Sequence, residues 1–155
     1  PTHELAIQIF REIEKLVHGG GLKITSAQCI GGANISRQIE KLKKKPHIIV
    51  GSTGRILELI TAKKINPDIG TLIIDEADRM LDDNNFDLLL RLVRSLVRTA
   101  RQTILFSASI GSETLKRAKA VTKEAVFIKT AQKIEINQNL EHLYIECDNR
   151  DKIRL

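Results

Sequence analysis

Three carboxylates stand within four positions at the end of a short apolar run, in the segment TLIIDEADRML at residues 71–81. Asp75, Glu76 and Asp78 could not lie unpaired inside a strand, so we interpret the run as a buried strand that delivers acids to a sheet edge, where we expect a cationic partner. Such carboxylates suit phosphate chemistry, because one can bind Mg²⁺ and another can orient or deprotonate a water. The alternative is an acid-rich helix N-terminus, which the helix dipole favours.

A second group of residues suits the binding of an anion. Thr53 and Gly54 open a predicted helix that has Arg55 in its first turn, where a cation is unfavourable unless an anion is also present. A phosphate at this helix N-terminus would resolve the conflict. Thr2 can cap the predicted helix 2–18, whose free backbone donors could then face a phosphate. The glycine pair at 31–32 lets a phosphate approach the backbone closely. Ordinary capping and turn formation stay open as alternatives at each place.

Apolar runs and helix-period runs alternate along the chain and must position these residues. The predicted helices are 2–18, 34–44, 53–62, 86–99 and 112–121. The predicted strands are 23–29, 47–50, 71–75, 103–107, 125–129 and 142–147. Several strands are continuously apolar, which indicates cover by helices on both faces and predicts an α/β sandwich with a mostly parallel sheet. Ligands in that architecture bind beyond the carboxyl ends of the strands, where Gly51, Asp75 and Ser107 fall.

Composition sets wider bounds on the protein. The 155 residues suffice for one compact domain, and the net charge of +6 suggests an acidic partner. No apolar run approaches the length of a membrane span, and the first residues lack the pattern of a signal peptide, so no membrane partner and a cytoplasmic setting are expected. Cys29 and Cys147 have no metal-ligand spacing and are interpreted as reduced, partly buried thiols.

The tetrad Asp75-Glu76-Ala77-Asp78 resembles motif II of the DEAD-box RNA helicases, and four further motifs stand in the order of that family. PTHELA at 1–6 resembles motif Ia, Gly31 and Gly32 the Gly-Gly motif, STGR at 52–55 the Thr-Pro-Gly-Arg motif, and SAS at 107–109 the Ser-Ala-Thr motif. The resemblance covers essentially the whole chain. It implies a RecA-like three-layer sandwich with a mostly parallel sheet, lacking the N-terminal phosphate-loop portion.

The resemblance also implies roles for the acids and serines, with ATP and Mg²⁺ as cofactors. Asp75, Glu76 and Asp78 would be the catalytic residues. Asp75 would bind the metal ion, and Glu76 would act on the water that attacks the phosphate. Asp78 would further tie the nucleotide site to a second RecA-like domain and to the serine motif. Ser107 and Ser109 would couple the nucleotide state to RNA unwinding, and Ser109 keeps the hydroxyl of the family's usual threonine.

The remaining motifs imply an RNA-binding surface that contacts the backbone of the RNA and does not select its sequence. The residues that would bind RNA are Pro1, Thr2, His3, Gly31, Gly32, Thr53, Gly54 and Arg55. Two of them depart from the family pattern. His3 replaces the usual arginine and would attract phosphate less, since it is mostly neutral near pH 7. Thr53 replaces a proline, which loosens the turn before the helix.

No Gly-x-x-x-x-Gly-Lys-[Ser/Thr] phosphate loop occurs in the sequence. The expectation is that this loop precedes Pro1 in a longer protein. Residues 1–130 are accordingly predicted to be part of a first RecA-like domain, and 131–155 to be a linker and the start of the second. The chain alone is predicted to be inactive toward ATP, and its unpaired strand edges predict self-association.

Three functions remain open from the sequence. The favoured one is part of an ATP-dependent RNA helicase that separates RNA duplexes or remodels complexes of RNA with protein. The alternative is a non-catalytic RNA-binding scaffold with a helicase-like fold, which the departures at His3 and Thr53 would favour. A DNA-dependent relative is disfavoured, because the DEAD tetrad together with Ser-Ala-Ser resembles the RNA family.

Overall fold

Helices and strands alternate in the computed structural model, which describes residues 1–98 and 100–130. The described residues form helices α1 (His3–Gly19), α2 (Ile35–Lys43), α3 (Thr53–Thr61), α4 (Ala77–Met80), α5 (Phe86–Ser95) and α6 (Ser112–Val121). They form strands β1 (Ser26–Cys29), β2 (Ile48–Gly51), β3 (Thr71–Ile74) and β4 (Gln102–Leu105). The chain divides into two compact units, Pro1–Ala125 and Val126–Leu155, and all of these elements belong to the first.

Both strand pairs are parallel, as the sequence predicts. β1 pairs with β2 in the register Cys29↔Gly51, and β3 pairs with β4 in the register Ile74↔Leu105. The strands make two sheets of two strands each instead of the one predicted sheet, because no strand of the described residues bridges the pairs. Parallel pairing sends the segments that follow β1 and β2 to one edge, and does the same for β3 and β4.

Helix α5 holds the two strand pairs together through two apolar clusters. The first cluster contains Ala27, Cys29, Leu42, Leu59, Ile60, Ile65, Leu92 and Leu96. The second contains Ile74, Ala77, Met80, Leu81, Leu89, Val93 and Val121. Leu92 of α5 therefore belongs to the cluster that contains β1 residues, while Leu89 and Val93 belong to the cluster that contains Ile74 of β3. One amphipathic helix thus fixes both groups of strand ends within the same unit.

Strand β3 is covered on one face only by the described residues. Ile74 is buried in the second cluster, whereas the side chain of Ile73 is 59% exposed and that of Phe106, just after β4, is 56% exposed. Successive strand residues point to opposite faces, so the face carrying Ile73 is open. The expectation of helices on both faces is not met at this strand.

The predicted helix starts agree closely with the structure. Thr2 caps α1, since its hydroxyl accepts a hydrogen bond from the Leu5 amide at 3.2 Å. Asn34 caps α2 in the same manner through the amide of Arg37, at 3.1 Å. These side chains satisfy backbone donors that a helix leaves free at its start. No helix of the described residues is long and apolar enough to cross a membrane.

Four predictions need correction or fall outside the described residues. Residues 125–129 form neither strand nor helix, although their composition favours a strand. The helix predicted at 86–99 ends at Ser95, because Leu96 turns into extended backbone and Val97 donates its amide to the Pro67 carbonyl at 3.3 Å. The predicted strand 142–147 and the predicted linker 131–155 lie outside the described residues.

The interpretation of Cys29 as a thiol is confirmed, although its burial is complete instead of partial. Cys29 is a free thiol that is completely buried in the first apolar cluster, and this burial raises its pKa to about 11, against a smaller lowering by the charge of Arg55. His47 supports the start of β2, since its Nδ1 accepts the Thr25 amide at 3.1 Å. Both side chains are structural. Cys147 lies outside the described residues.

Candidate functional site

The acidic tetrad forms a sharp turn directly after β3. Glu76 has φ +48°, a left-handed conformation that costs a non-glycine residue about 1 to 3 kcal/mol. The turn is held by the Asp75 carboxylate, which accepts the Glu76 amide at 2.9 Å, and by the Ala77 amide, which donates to the Phe106 carbonyl at 2.9 Å. Helix α4 then begins at Ala77, an element that the sequence analysis missed because four residues are too short for a periodic pattern. The Asp75 carboxylate and the backbone of Glu76 are thereby fixed at the end of β3.

Asp78 joins the acidic turn to the segment after β4. The Ser109 hydroxyl donates to Asp78 Oδ2 at 2.8 Å, and the Asp78 amide donates to the Ser107 hydroxyl at 3.3 Å. Ser107 in turn donates to the Ser109 carbonyl at 2.6 Å. The structure therefore brings Asp78, Ser107 and Ser109 into one network. The cationic partner expected for the acids is weak, since Arg79 lies 3.8 Å from Glu76 and both side chains are at least 40% exposed.

Hydrogen bonding within this network holds the pKa of Asp78 below its ordinary value of 3.8, and the bond from Ser109 is the largest cause. We expect Ser109→Ala to raise the pKa of Asp78 toward that value. In the native protein the stabilisation from Asp78 is present above pH 3.8 and is lost as the pH falls through the lower folded-state pKa, so the variant should show a weaker loss of stability on acidification. Titration of the Asp78 carboxyl carbon by NMR measures the shift.

Ser36→Ala is the control for this titration, because Ser36 is exposed on α2 and belongs to no described hydrogen bond with Asp78. An Asp78 pKa that stays equally low in Ser109→Ala would show that the hydroxyl of Ser109 is not its cause.

A cavity of about 320 Å³ lies beyond the carboxyl ends of β1 and β2. Six residues predicted to bind RNA line it: Pro1, His3, Gly31, Thr53, Gly54 and Arg55. The other two lie beside it in the chain, with Thr2 capping α1 and Gly32 at φ +71°. His3 packs against Gly31 so closely that a Cβ on Gly31 would come within 2.9 Å of its Nε2 atom. Residues distant in sequence therefore share one concave surface.

Arg55 is paired within the protein, which the sequence analysis did not foresee. Its Nε lies 2.9 Å from a carboxylate oxygen of Glu58, and its side chain is only 12% exposed. Its Nη1 also donates to the Ala33 carbonyl at 3.5 Å. The positive charge of Arg55, for which the sequence predicts a phosphate, is thus paired with Glu58 of the same helix. The i,i+3 spacing of Arg55 and Glu58 on one helix was the available signal.

The start of α3 nevertheless keeps the character of an anion site. Its N-cap residue, Ser52, makes no side-chain capping bond, and no acidic residue stands in the first turn. The first amides of a helix have no partner within the helix, so those of α3 remain available to a ligand. Thr53 and Gly54 present this end of the helix to the cavity.

Asn85 and Leu88 also line the cavity, and the sequence analysis missed both. The Asn85 amide group donates to the Arg79 carbonyl at 3.0 Å, and the Thr53 hydroxyl lies 4.0 Å from the Met80 sulfur. Helix α4, which begins in the acidic turn, therefore contacts two residues that line the cavity, Asn85 and Thr53. The polar run at residues 82–85 was the only signal for Asn85, and it is equally typical of a loop.

Comparison with known proteins places the chain among helicases. The family model described as DEAD/DEAH box helicase matches residues 1–118. The probable ATP-dependent RNA helicase YfmL of Bacillus subtilis is 36% identical over 156 residues, which cover 100% of this chain and 41% of that protein. The DEAD-box ATP-dependent RNA helicase CshC of Bacillus cereus is 39% identical over 155 residues, 98% of this chain and 38% of that protein. The chain thus spans about two fifths of these relatives.

Solved structures agree with the sequence comparisons. A DEAD box protein from the hyperthermophile Methanococcus jannaschii superposes with a TM-score of 0.75 at 34% identity, over 99% of this chain and 40% of the other. Mss116p, solved bound to ssRNA and AMP-PNP, gives a TM-score of 0.69 at 27% identity, over 78% of this chain and 26% of the other.

Proposed function

Because the chain belongs to the DEAD/DEAH box helicase family, we propose that it is part of an ATP-dependent RNA helicase that couples ATP hydrolysis to RNA duplex separation or to remodelling of complexes of RNA with protein. Its relatives include proteins named ATP-dependent RNA helicases that match the whole chain. A second RecA-like domain of the same protein would be the partner across the nucleotide.

The observation that carries the proposal is the joint presence of two sites in one compact unit. The cavity beyond β1 and β2 offers a helix N-terminus and a glycine turn, while the acidic turn beyond β3 offers the carboxylates of Asp75 and Glu76. Asp78 links the acidic turn to Ser107 and Ser109. An RNA-dependent ATP hydrolase needs a place for each ligand and a connection between them.

The carboxylates after β3 fit a nucleotide and its Mg²⁺ ion in their donor chemistry. The described residues form no group of three or more His, Cys, Asp or Glu side chains that could hold a metal. Mg²⁺ in phosphate-processing sites usually binds one or two carboxylates, waters and the substrate phosphates, so Asp75 alone is a sufficient protein ligand. The ion would neutralise phosphate charge. Glu76 would accept a proton from the attacking water or orient it.

RNA would bind in the cavity through its phosphates. The amides at the start of α3 and the backbone around Gly31 can donate to phosphate oxygens without reading bases. The protein has few aromatic residues, 3% of the total, so stacking on bases contributes little. Binding should therefore be insensitive to sequence and should weaken as salt rises.

Thr53→Glu separates a structural role of the α3 start from a role in RNA binding. An acid in the first turn stabilises a helix by about 0.3 to 1 kcal/mol, whereas the same charge repels phosphate. We expect the affinity for single-stranded RNA to fall about tenfold while the melting temperature stays level or rises. Fluorescence anisotropy of a labelled oligouridylate and thermal unfolding measure the two quantities.

Thr53→Gln is the matched control, because it has a similar size to glutamate and no charge. Equal RNA affinity in Thr53→Glu and Thr53→Gln would contradict the placement of RNA at this helix start. A DNA strand of the same length, titrated beside the RNA at several salt concentrations, tests whether the partner is RNA in particular.

The second candidate function is a non-catalytic RNA-binding scaffold. The pairing of Arg55 with Glu58 favours the scaffold, because that pairing reduces the positive charge offered to phosphate. The presence of His3 in place of the family's usual arginine also favours the scaffold. RNA binding without ATP turnover in the natural full-length protein would support the scaffold, and RNA-stimulated turnover would exclude it.

A further inference from the structure

Gln38 is the buried polar side chain that stands out among the described residues. It lies in the second turn of α2 and is 6% exposed. Among the described residues it is the only polar or charged one that is buried. Its Nε2 donates to the Ile30 carbonyl at 3.0 Å and to the Ala33 carbonyl at 3.4 Å. These two carbonyls flank Gly31 and Gly32. One side chain therefore holds both ends of the glycine turn.

Besides Gln38, the glycine turn is contacted by His3, which packs against Gly31, and by Arg55. Neither glycine has a side chain, and Gly32 adopts φ +71° with open space on the side where a Cβ would stand. The Ala33 carbonyl also accepts from Arg55 at 3.5 Å, so the bonds from Gln38 and Arg55 meet on one atom. The turn is thus joined to α3, which forms the opposite part of the cavity.

The Gln38 amide donates two hydrogen bonds to the turn and leaves one of its own atoms unpaired. The Oε1 atom of Gln38 is buried without a hydrogen-bond partner, which is a cost that an apolar side chain of the same shape would avoid. The two carbonyls also fix the orientation of the amide, because only its NH₂ group can donate to them. The particular contribution of Gln38 is to set the distance between Ile30 and Ala33.

We propose that Gln38 is a positioning residue for RNA binding, which holds the Gly31–Gly32 turn in the shape that admits a phosphate. This inference rests on the proposed function of the cavity. Gln38 does not line the cavity, so it acts through the backbone of the turn and neutralises no phosphate.

The substitution Gln38→Met tests the proposal, because it keeps length and volume and removes both donors. We expect the affinity for a short single-stranded oligouridylate to fall about five- to tenfold, as two neutral hydrogen bonds are lost. The slope of log affinity against log salt should stay unchanged, whereas a residue that contacts a phosphate directly would lower it. Amide hydrogen exchange at residues 31–33 should become faster, with little change in melting temperature.

Gln28→Met is the matched control. Gln28 is a partly buried glutamine on β1 whose Nε2 has no hydrogen-bond partner, so its replacement removes no bond to the turn. We expect its RNA affinity and its exchange at residues 31–33 to equal those of the native protein. An equal loss of RNA affinity in both variants would overturn the proposal, since it would then reflect general core damage.

The exchange measurement separates this proposal from the proposed function, because it needs no RNA. Unchanged exchange at residues 31–33 in Gln38→Met would overturn the positioning role whatever the protein binds. Faster exchange in the variant together with unchanged RNA affinity would overturn the link from the turn to RNA. A native protein that binds no RNA would refute the proposed function, and with it the RNA role of Gln38.

Discussion

Glu76→Gln is expected to lower RNA-stimulated ATP turnover about a hundredfold or more in the natural full-length protein. Glutamine keeps the size of the side chain and its hydrogen-bonding reach but cannot accept a proton, and a positioned general base typically contributes about 100- to 10,000-fold. The left-handed backbone at Glu76 and the bond from its amide to Asp75 place the carboxylate at the end of β3. The variant should therefore keep its fold and bind nucleotide and RNA near native affinity.

Release of phosphate with and without RNA measures this effect, and thermal unfolding checks the fold. Glu12→Gln is the control, since Glu12 is exposed on α1 and pairs only with Lys15 in the described contacts. ATP turnover at the native rate in Glu76→Gln would show that Glu76 takes no part in ATP hydrolysis. A native protein without any turnover, but with RNA binding intact, would favour the scaffold.

Gly51→Ala is expected to destabilise the first unit by about 3 kcal/mol or more, which corresponds to a fall of roughly 10 °C in melting temperature. A Cβ on Gly51 would stand 2.0 Å from the carbonyl oxygen of Cys29, its partner in the β1 and β2 pair. Backbone cannot give way as a flexible side chain can, so the strands must separate. Their ends carry the glycine turn and the start of α3, and RNA affinity should fall with stability.

Gly70→Ala is the control for this steric effect, because a Cβ there would meet nothing within 4 Å and the backbone has no positive φ. Its melting temperature should stay level or rise slightly, since alanine reduces the freedom of the unfolded chain. Equal stability of Gly51→Ala and the native protein would mean that β1 and β2 do not pair as described. Chemical denaturation of both variants gives the free energies of unfolding.

The placement of the acids and serines was predictable because each group follows an apolar run, and parallel strands carry their carboxyl ends to one edge of a sheet. The sequence identifies apolar runs that end at Asp75 and near Ser107, and parallel pairing of those runs must bring their ends to one edge. The cavity follows from the same rule applied to β1 and β2. The start of α1 after Thr2 was equally predictable, since capping depends on neighbours in sequence.

The errors arose where contacts distant in sequence outweigh local preference. Residues 125–129 have strand composition, yet a strand needs a partner for its backbone, and composition does not reveal one. Helix α5 ends early because Leu96 turns into the first apolar cluster and Val97 bonds to Pro67. The split into two small sheets was likewise hidden, since pairing between strands leaves no mark on either strand alone.

By itself the sequence determined the family, most of the elements in their order, and six of the residues that line the cavity. Those properties depend on residue types and on spacings along the chain. Only the tertiary structure decided that Arg55 reaches the Ala33 carbonyl, that Ser109 lowers the pKa of Asp78, and that Gln38 holds the glycine turn. Each of these depends on one side chain reaching an atom of another segment or turn. Distances and rotamers of that kind are set by packing, and several arrangements are compatible with the same pattern.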